Sequence, residues 1–161
     1  MGTGKTTVGA ELSIRLNKIL FDMDTEISSI AGMSISEIFD LYGEEKFRDM
    51  ETTECLMLGK FNNVIISTGG GVVLRKENIE YLRENGIIVC LNASPETIKK
   101  RVETDRARPL LESKNLLNKI TELLKYRNPF YENADIQIDT EDKTPSDIAW
   151  EIIEKMEQLD G

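Results

Sequence analysis

The chain opens on residues suited to holding phosphate: Met1-Gly2-Thr3-Gly4-Lys5-Thr6-Thr7. Glycines let successive backbone N–H groups turn toward anionic oxygens. A helix starting at Lys5 would point the positive end of its dipole at the same anion. In the phosphate-loop pattern G-x-x-x-x-G-K-[ST], Gly4, Lys5 and Thr6 fill the second half. Lys5 then reaches the β- and γ-phosphates, and Thr6 offers its hydroxyl to Mg²⁺. The pattern's first glycine, and the strand that feeds the loop, would fall before Met1.

Three further groups could do chemistry. The apolar run Ile19-Leu20-Phe21 ends in Asp22-Met23-Asp24, which places two carboxylates at the C-terminal end of a buried strand. Ligands bind at that edge in open α/β sheets. One aspartate could serve metal and phosphate and the other a substrate hydroxyl; alternatively one of them caps the next helix, with Thr25 as rival cap. After the run 63–67 come Thr68-Gly69-Gly70-Gly71. Three glycines suit a backbone that approaches a ligand closely, or a plain turn. The stretch 105–115 holds Arg106 and Arg108, with Pro109 against a continuous helix. Two arginines there suit a lid over a transferring phosphate, or a solvated loop. Arg48 lies one residue off the apolar stripe Phe47, Met50, Glu54 and Met57, and taken alone reads as a surface ion-pair residue.

These groups need a frame. Strands are expected at 19–22, 63–67, 87–91 and 136–139, each nearly continuous in apolar residues. Helices are expected at 5–16, from the capping box Ser34-Ile35-Ser36-Glu37 to about Tyr42, at 44–60 beyond the break at Gly43, and at 75–85. Others start at Ser94-Pro95, with Ile98 and Val102 buried, and span 116–126, ended by Arg127-Asn128-Pro129. The last starts at Thr144-Pro145-Ser146-Asp147, with Ile148, Ile152, Met156 and Leu159 as its buried stripe. Strands alternating with helices imply an α/β fold, a parallel sheet covered on both faces. At 161 residues a single domain is expected.

Composition excludes several classes. A formal charge of −9 argues against nucleic acid or an anionic membrane as partner. The chain has no histidine, which removes His-dependent catalysis and the usual zinc sites. Cys55 and Cys90 read as free thiols of a reducing compartment. No apolar run approaches the ~20 residues of a membrane span and no signal-peptide pattern opens the chain, so a cytoplasmic protein is expected.

Taken together, M-G-T-G-K-T-T-V-G (1–9), F-D-M-D (21–24), F-R (47–48), S-T-G-G-G (67–71), R-P-L-L (108–111) and Y-R-N-P-F-Y (126–131) resemble the shikimate kinase family. The resemblance runs over essentially the whole chain. It implies a three-layer P-loop sheet of order 2-3-1-4-5 and a single domain, with a lid at about 105–115 and a substrate-binding helical part at about 25–60. It implies transfer of the γ-phosphoryl of ATP to the 3-hydroxyl of shikimate, on the route to chorismate, by a monomer using Mg²⁺. By motif, Gly2, Thr3, Gly4, Lys5, Thr6 and Thr7 would hold ATP, with Thr6 and Asp22 at the metal. Asp22 would serve the attacking hydroxyl and Asp24 the ring hydroxyls. Arg48 and Arg127 would hold the substrate carboxylate, and Gly69, Gly70 and Gly71 would make close backbone contacts. Arg108 resembles the lid arginine on the phosphates, and Arg101 an arginine near the adenine. The loop 140–144 would also help hold adenine, with no single residue singled out.

The family's first strand, central in that order, would precede Met1. Strands 63–67 and 87–91 would then each lack a ladder partner, at roughly 1–3 kcal/mol for each buried unpaired group. Total stability of about 5–15 kcal/mol does not absorb several of these. The expectation is a native start about ten residues upstream, one strand and its turn; the alternatives are neighbouring strands that close up, or an inactive remnant. Two rival functions remain: a related small-molecule kinase such as a gluconate kinase, and an inert nucleotide-binding remnant.

Overall fold

Backbone N–H groups at the end of the glycine loop run straight into a helix, α1 (Lys5–Leu16), with the Val8 amide donating to the Gly4 carbonyl at 2.9 Å. The computed structural model describes residues 2–104 and 113–160. These divide into two units, Gly9–Ile88, and Met1–Val8 together with Val89–Gly161.

In the unit Gly9–Ile88, β1 (Ile19–Asp22) and β2 (Val64–Ser67) pair in parallel, Ile19 opposite Val64 and Asp22 opposite Ser67. Asp22 ends its strand by capping α2 (Met23–Ala31), and Gly32 closes that helix at φ 67°. α3 (Ile35–Leu58) starts on the expected capping box, in which Ser34 and Glu37 satisfy each other's backbone N–H. It kinks where the break was expected, at Gly43, whose φ of 79° and ψ of 171° no helix contains. A 3₁₀ turn (Val72–Leu74) and α4 (Lys76–Arg83) follow β2. The buried Asn78 side-chain Nδ2 donates to the Val72 carbonyl at 3.0 Å and so ties turn to helix. One apolar cluster gathers Met23, Cys55, Leu58, Val72 and Leu82; a second gathers Ile27, Ile38 and Phe47.

Two expectations fail in this unit. Met57 is 52% exposed, because the inward line of α3 runs Phe47, Glu51, Glu54 with Cys55, then Leu58. That is the straight i, i+4, i+7, i+11 row of a helix; Met57 falls one residue out of phase with it, while the half-buried Met50 still packs against the Phe47 cluster. α4 spans 76–83 rather than 75–85: Arg75 is extended (φ −112°, ψ 117°) and sits at the N-cap, Glu84 sits at the C-cap, and the Asn85 side-chain Nδ2 donates to the Gly59 carbonyl at 3.0 Å.

In the other unit, β3 (Val89–Asn92) pairs in parallel with β4 (Ile136–Asp139). The strand thus begins two residues later than the expected 87–91. Both observed strand pairs are neighbours in the order 2-3-1-4-5 if β1 to β4 take that order's places 2 to 5. α5 (Pro95–Thr104) starts as expected, with Ser94 Oγ accepting from the Thr97 amide at 3.2 Å. Ile98 packs with Leu116 and Ile120 of α6 (Ser113–Tyr131), with Val102 against them. α7 (Pro145–Asp160) is opened by Thr144 and Asp147, each accepting from the other's backbone. Its inward residues are Ile148, Ala149 and Ile152; Leu159, expected inside, is 55% exposed in the last turn.

α6 is the larger correction. It passes through Pro129 and ends at Tyr131, not Tyr126. So close to the C-terminus, proline forfeits only its own donor and disturbs one preceding carbonyl. The Glu132 amide still bonds the Asn128 carbonyl at 3.1 Å, and the Ala134 amide the Tyr131 carbonyl at 3.2 Å. Arg127 therefore stands on a helix. Residues 113–115 of the expected lid also belong to α6, while 105–112, Arg108 among them, lie outside the described residues. Among the described residues no helix is long and apolar enough to cross a membrane.

Candidate active site

The phosphate loop needs its glycines for two separate reasons. Gly2 and Gly4 have φ of 67° and 89°, where L side chains are strained. A Cβ on Gly2 would also lie 3.0 Å from the Ile98 and Val102 Cγ2 atoms, which carry the loop from α5. Thr3 is buried, and its hydroxyl accepts from Lys5 Nζ at 3.4 Å. The Thr7 hydroxyl donates to the Gly4 carbonyl at 2.9 Å. Thr6 is exposed at the head of α1.

Two further expected residues share this unit with the loop. Arg101 on α5 is doubly fixed: Nη1 donates to Thr140 Oγ1 at 2.9 Å and Nη2 to the Thr140 carbonyl at 2.8 Å. Thr140 is fully buried and bonds the Asn92 carbonyl through both its amide and its hydroxyl, each at 2.9 Å. It is the first residue of the loop 140–144, in which the sequence singles out none. Glu141, next in line, accepts from the Ser94 amide and the Thr97 hydroxyl, both at 2.6 Å. These bonds, Thr97's first, hold its carboxyl below the usual range. Arg127 is half-buried on α6, and its buried Nε has no hydrogen-bond partner among the described residues. One turn on, burial pushes the Tyr131 phenol up, and the Arg127 charge partly offsets this. Burial likewise raises the Cys90 thiol, against a smaller downward pull from Lys5.

The unit Gly9–Ile88 gathers the other set. Asp22 is a helix cap here, its Oδ1 accepting from the Thr25 amide and hydroxyl at 3.2 Å each. The capping alternative is therefore realised in Asp22. Asp24 is exposed in the first turn of α2. Gly69 fits between carboxylates: an added Cβ would lie 2.9 Å from Glu51 Oε1 and 3.4 Å from Asp24 Oδ1. Gly71 fits against Arg48, with an added Cβ 2.7 Å from Cζ and from Nη2. Neither glycine has a positive φ. They are glycines because the site leaves no room for a side chain.

Arg48 is more than a surface ion-pair residue. Its side chain is 12% exposed, and Nη1 donates to Glu51 Oε2, whose side chain is 1% exposed. Nε and Nη2 both face Glu44 Oε1, at 3.3 and 3.0 Å. The guanidinium also lies 5.1 Å from the Phe47 ring centroid. Burial works against its charge, and Glu51 and then Glu44 more than restore it. Glu51 is the residue that sequence reasoning missed. The available signal was its place three residues after Arg48 on one helix face.

A glycine loop running into Lys-Thr at a helix start, parallel strand pairs between helices, and aspartates after a strand define a P-loop α/β phosphotransferase. Comparison narrows this class. A family model for shikimate kinase matches residues 1–157. A shikimate kinase of Caldicellulosiruptor bescii is 47% identical over 95% of this chain and 89% of its own length. A structure of the Acinetobacter baumannii shikimate kinase in complex with shikimate superposes with a TM-score of 0.91, at 36% identity over 99% of this chain and 89% of that one. A gluconokinase of Sinorhizobium meliloti, at TM-score 0.62 and 16% identity, shares the fold alone. The chain belongs to the shikimate kinase family, and so to the ATP-dependent phosphotransferases.

Proposed function

We propose that the chain transfers the γ-phosphoryl of ATP to the 3-hydroxyl of shikimate. One observation carries the substrate reading: Asp24, Glu51 and Arg48 converge on Gly69 and Gly71, where side chains are excluded. A small ring acid needs a guanidinium for its carboxylate and carboxylates for its hydroxyls. Arg48 and Arg127 take the substrate carboxylate, Asp24 the ring hydroxyls, and the Gly69–Gly71 backbone the ring edge.

Gly2 to Thr7 hold the ATP phosphates, with Lys5 on the β- and γ-oxygens, and Arg101 with the loop 140–144 at the adenine. The 3-hydroxyl oxygen attacks the γ-phosphorus and the bond to the β–γ bridging oxygen breaks. ADP leaves, and the hydroxyl proton passes to the Asp22 carboxylate. Lys5 and Arg108 offset the charge spread over the transferring group. The exposed Thr6 hydroxyl and the Asp22 carboxylate are hard oxygen donors of the kind Mg²⁺ takes, and they would hold it. Bound there, the ion neutralises phosphate charge. The same reading makes the enzyme a cytoplasmic monomer.

The test is ADP release by the purified chain with Mg²⁺ and ATP, with shikimate or gluconate as acceptor. Shikimate-dependent turnover supports the proposal. Turnover on gluconate alone transfers the chain to a related kinase activity, and nucleotide binding without turnover on either makes it an inert binder. Asp24→Ala should raise KM for shikimate far more than for ATP; equal effects on both would remove Asp24 from the acceptor site.

A further inference from the structure

Arg75 belongs to no motif, yet it makes two ion pairs to α3 across 26 and 30 residues of chain. It follows the 3₁₀ turn and caps α4. From there Nη1 reaches Asp49 Oδ1 at 2.9 Å and Thr52 Oγ1 at 3.2 Å, and Nη2 reaches Glu45 Oε1 at 2.7 Å. All three partners lie on α3 directly beside the Arg48 set: 45, 49 and 52 against 44, 48 and 51. The Thr52 hydroxyl that accepts from Arg75 also donates to the Arg48 carbonyl at 3.0 Å. At its other end the same short segment is met by the Arg48 guanidinium on Gly71.

We infer that Arg75 is a positioning residue for acceptor binding: with Arg48 it forms a two-arginine clasp that sets the register of the Gly69–Gly71 backbone on α3. Arg48 reaches from helix to loop, and Arg75 from loop to helix. The two contacts, at Gly71 and at Arg75 four residues on, hold the segment 71–75 at both ends. Either contact alone leaves the segment a hinge. Both together fix the distance between the glycine backbone and the Arg48 guanidinium, the two groups that must meet one small acid at once. The ion pairs with Glu45 and Asp49 are individually weak, since those carboxylates are 86% and 57% exposed. A planar guanidinium sharing three acceptors on two turns of one helix loses its freedom once for all of them.

This inference rests on the proposed acceptor site, and its test separates the two. Steady-state kinetics would be measured for Arg75→Ala, Arg75→Lys, Arg48→Ala and the Arg75→Ala/Arg48→Ala double variant, with melting temperatures alongside. Arg75→Ala should raise KM for shikimate about fivefold, the factor that ~1 kcal/mol of binding produces. KM for ATP and kcat should stay within about twofold, and Arg75→Lys should restore part of the loss. In the Arg48→Ala background the Arg75→Ala effect should vanish, because the clasp acts through the pair. An unchanged KM for shikimate, a fall in melting temperature alone, or equal effects in both backgrounds overturns the inference. If Arg75→Ala does not fold, Asp49→Asn removes one exposed partner and should give a smaller rise in the same constant; no rise is again a refutation. If Arg48→Ala itself leaves KM for shikimate unchanged, the acceptor-site reading fails instead.

Discussion

Gly71→Ala isolates the contact between glycine backbone and Arg48. The backbone tolerates alanine, since Gly71 has φ −91° and ψ −6°, an ordinary right-handed conformation. The steric problem is local. The new methyl would press hardest on Nη1 of Arg48 and lie 2.7 Å from both Cζ and Nη2; ordinary contact requires about 3.5 Å, so the guanidinium must retreat by roughly 1 Å. An arginine tip would normally move that far at little cost. Here Nη1 is bonded to Glu51, which is buried on the same helix and cannot follow. The displacement stretches a charge-assisted hydrogen bond worth about 1.5–3 kcal/mol and moves the group proposed to hold the substrate carboxylate. A loss of about 2 kcal/mol in acceptor binding is ~30-fold in KM for shikimate, with KM for ATP little changed. The assay is coupled ADP release at saturating ATP across a shikimate titration, with shikimate affinity measured separately by calorimetry. A variant within threefold of the parent in both measurements would mean that the guanidinium relaxes freely, and the argument from crowding would fail.

Three other expectations follow from the same unit. Gly32→Ala meets open space but keeps φ at 67°, so urea unfolding should show a loss of about 1 kcal/mol with both KM values unmoved. Glu54 is buried, and burial first, then Glu26, raises its carboxyl above the ordinary 4.5. The folded state therefore holds this proton more tightly than the unfolded one, so Glu54 costs no stability below 4.5 and progressively more as pH rises through its folded value. Glu54→Gln should accordingly raise the melting temperature more at pH 8 than at pH 5, and an equal change at both would contradict the assignment. Glu44→Gln weakens the exposed partner on the Nε–Nη2 edge of Arg48. A mostly exposed pair contributes about 0.2–1 kcal/mol, so a modest fall in KM for shikimate is expected, and a rise would show Glu44 holding Arg48 in place.

Local chemistry made much of the frame legible. α1 and β1 match expectation because the phosphate loop demands a helix and a short apolar run cannot hide its ends. The helix starts at Ser34 and Thr144 were readable because a capping box is written within four residues. The errors share a different cause. Pro129 reads as a stop, but at the end of a helix it forfeits too little to be one. Met57 and Leu159 fit a stripe by spacing, while tertiary packing decides which side is in. Glu51 was passed over because a carboxylate on an inward row reads as an error in phase until its arginine is seen. Arg75 was not legible at all: its partners are 26 and 30 residues away, and nothing in local spacing records that.

Arg48 shows how one side chain can be both held and available. Its two hydrogen-bonding edges meet unlike partners. Nη1 is committed to Glu51, which is buried and bonded on the same helix, so this edge sets the plane of the guanidinium. Nε and Nη2 face a single oxygen of Glu44, whose side chain is 62% exposed. This is the side-on edge that matches a carboxylate in bidentate geometry. On the proposed acceptor reading, a substrate carboxylate supplies two oxygens where Glu44 supplies one, and Glu44 keeps its hydration when displaced. The exchange therefore costs little desolvation on the departing side and gains a second charged hydrogen bond on the arriving one. Glu51 prevents the exposed edge from being lost to rotation, and Gly71 lets the backbone come up to the guanidinium, closest at Nη1. The glycine after the strand, the arginine on α3 and the buried glutamate one turn on thus form one device, of which only the first two are visible as a motif.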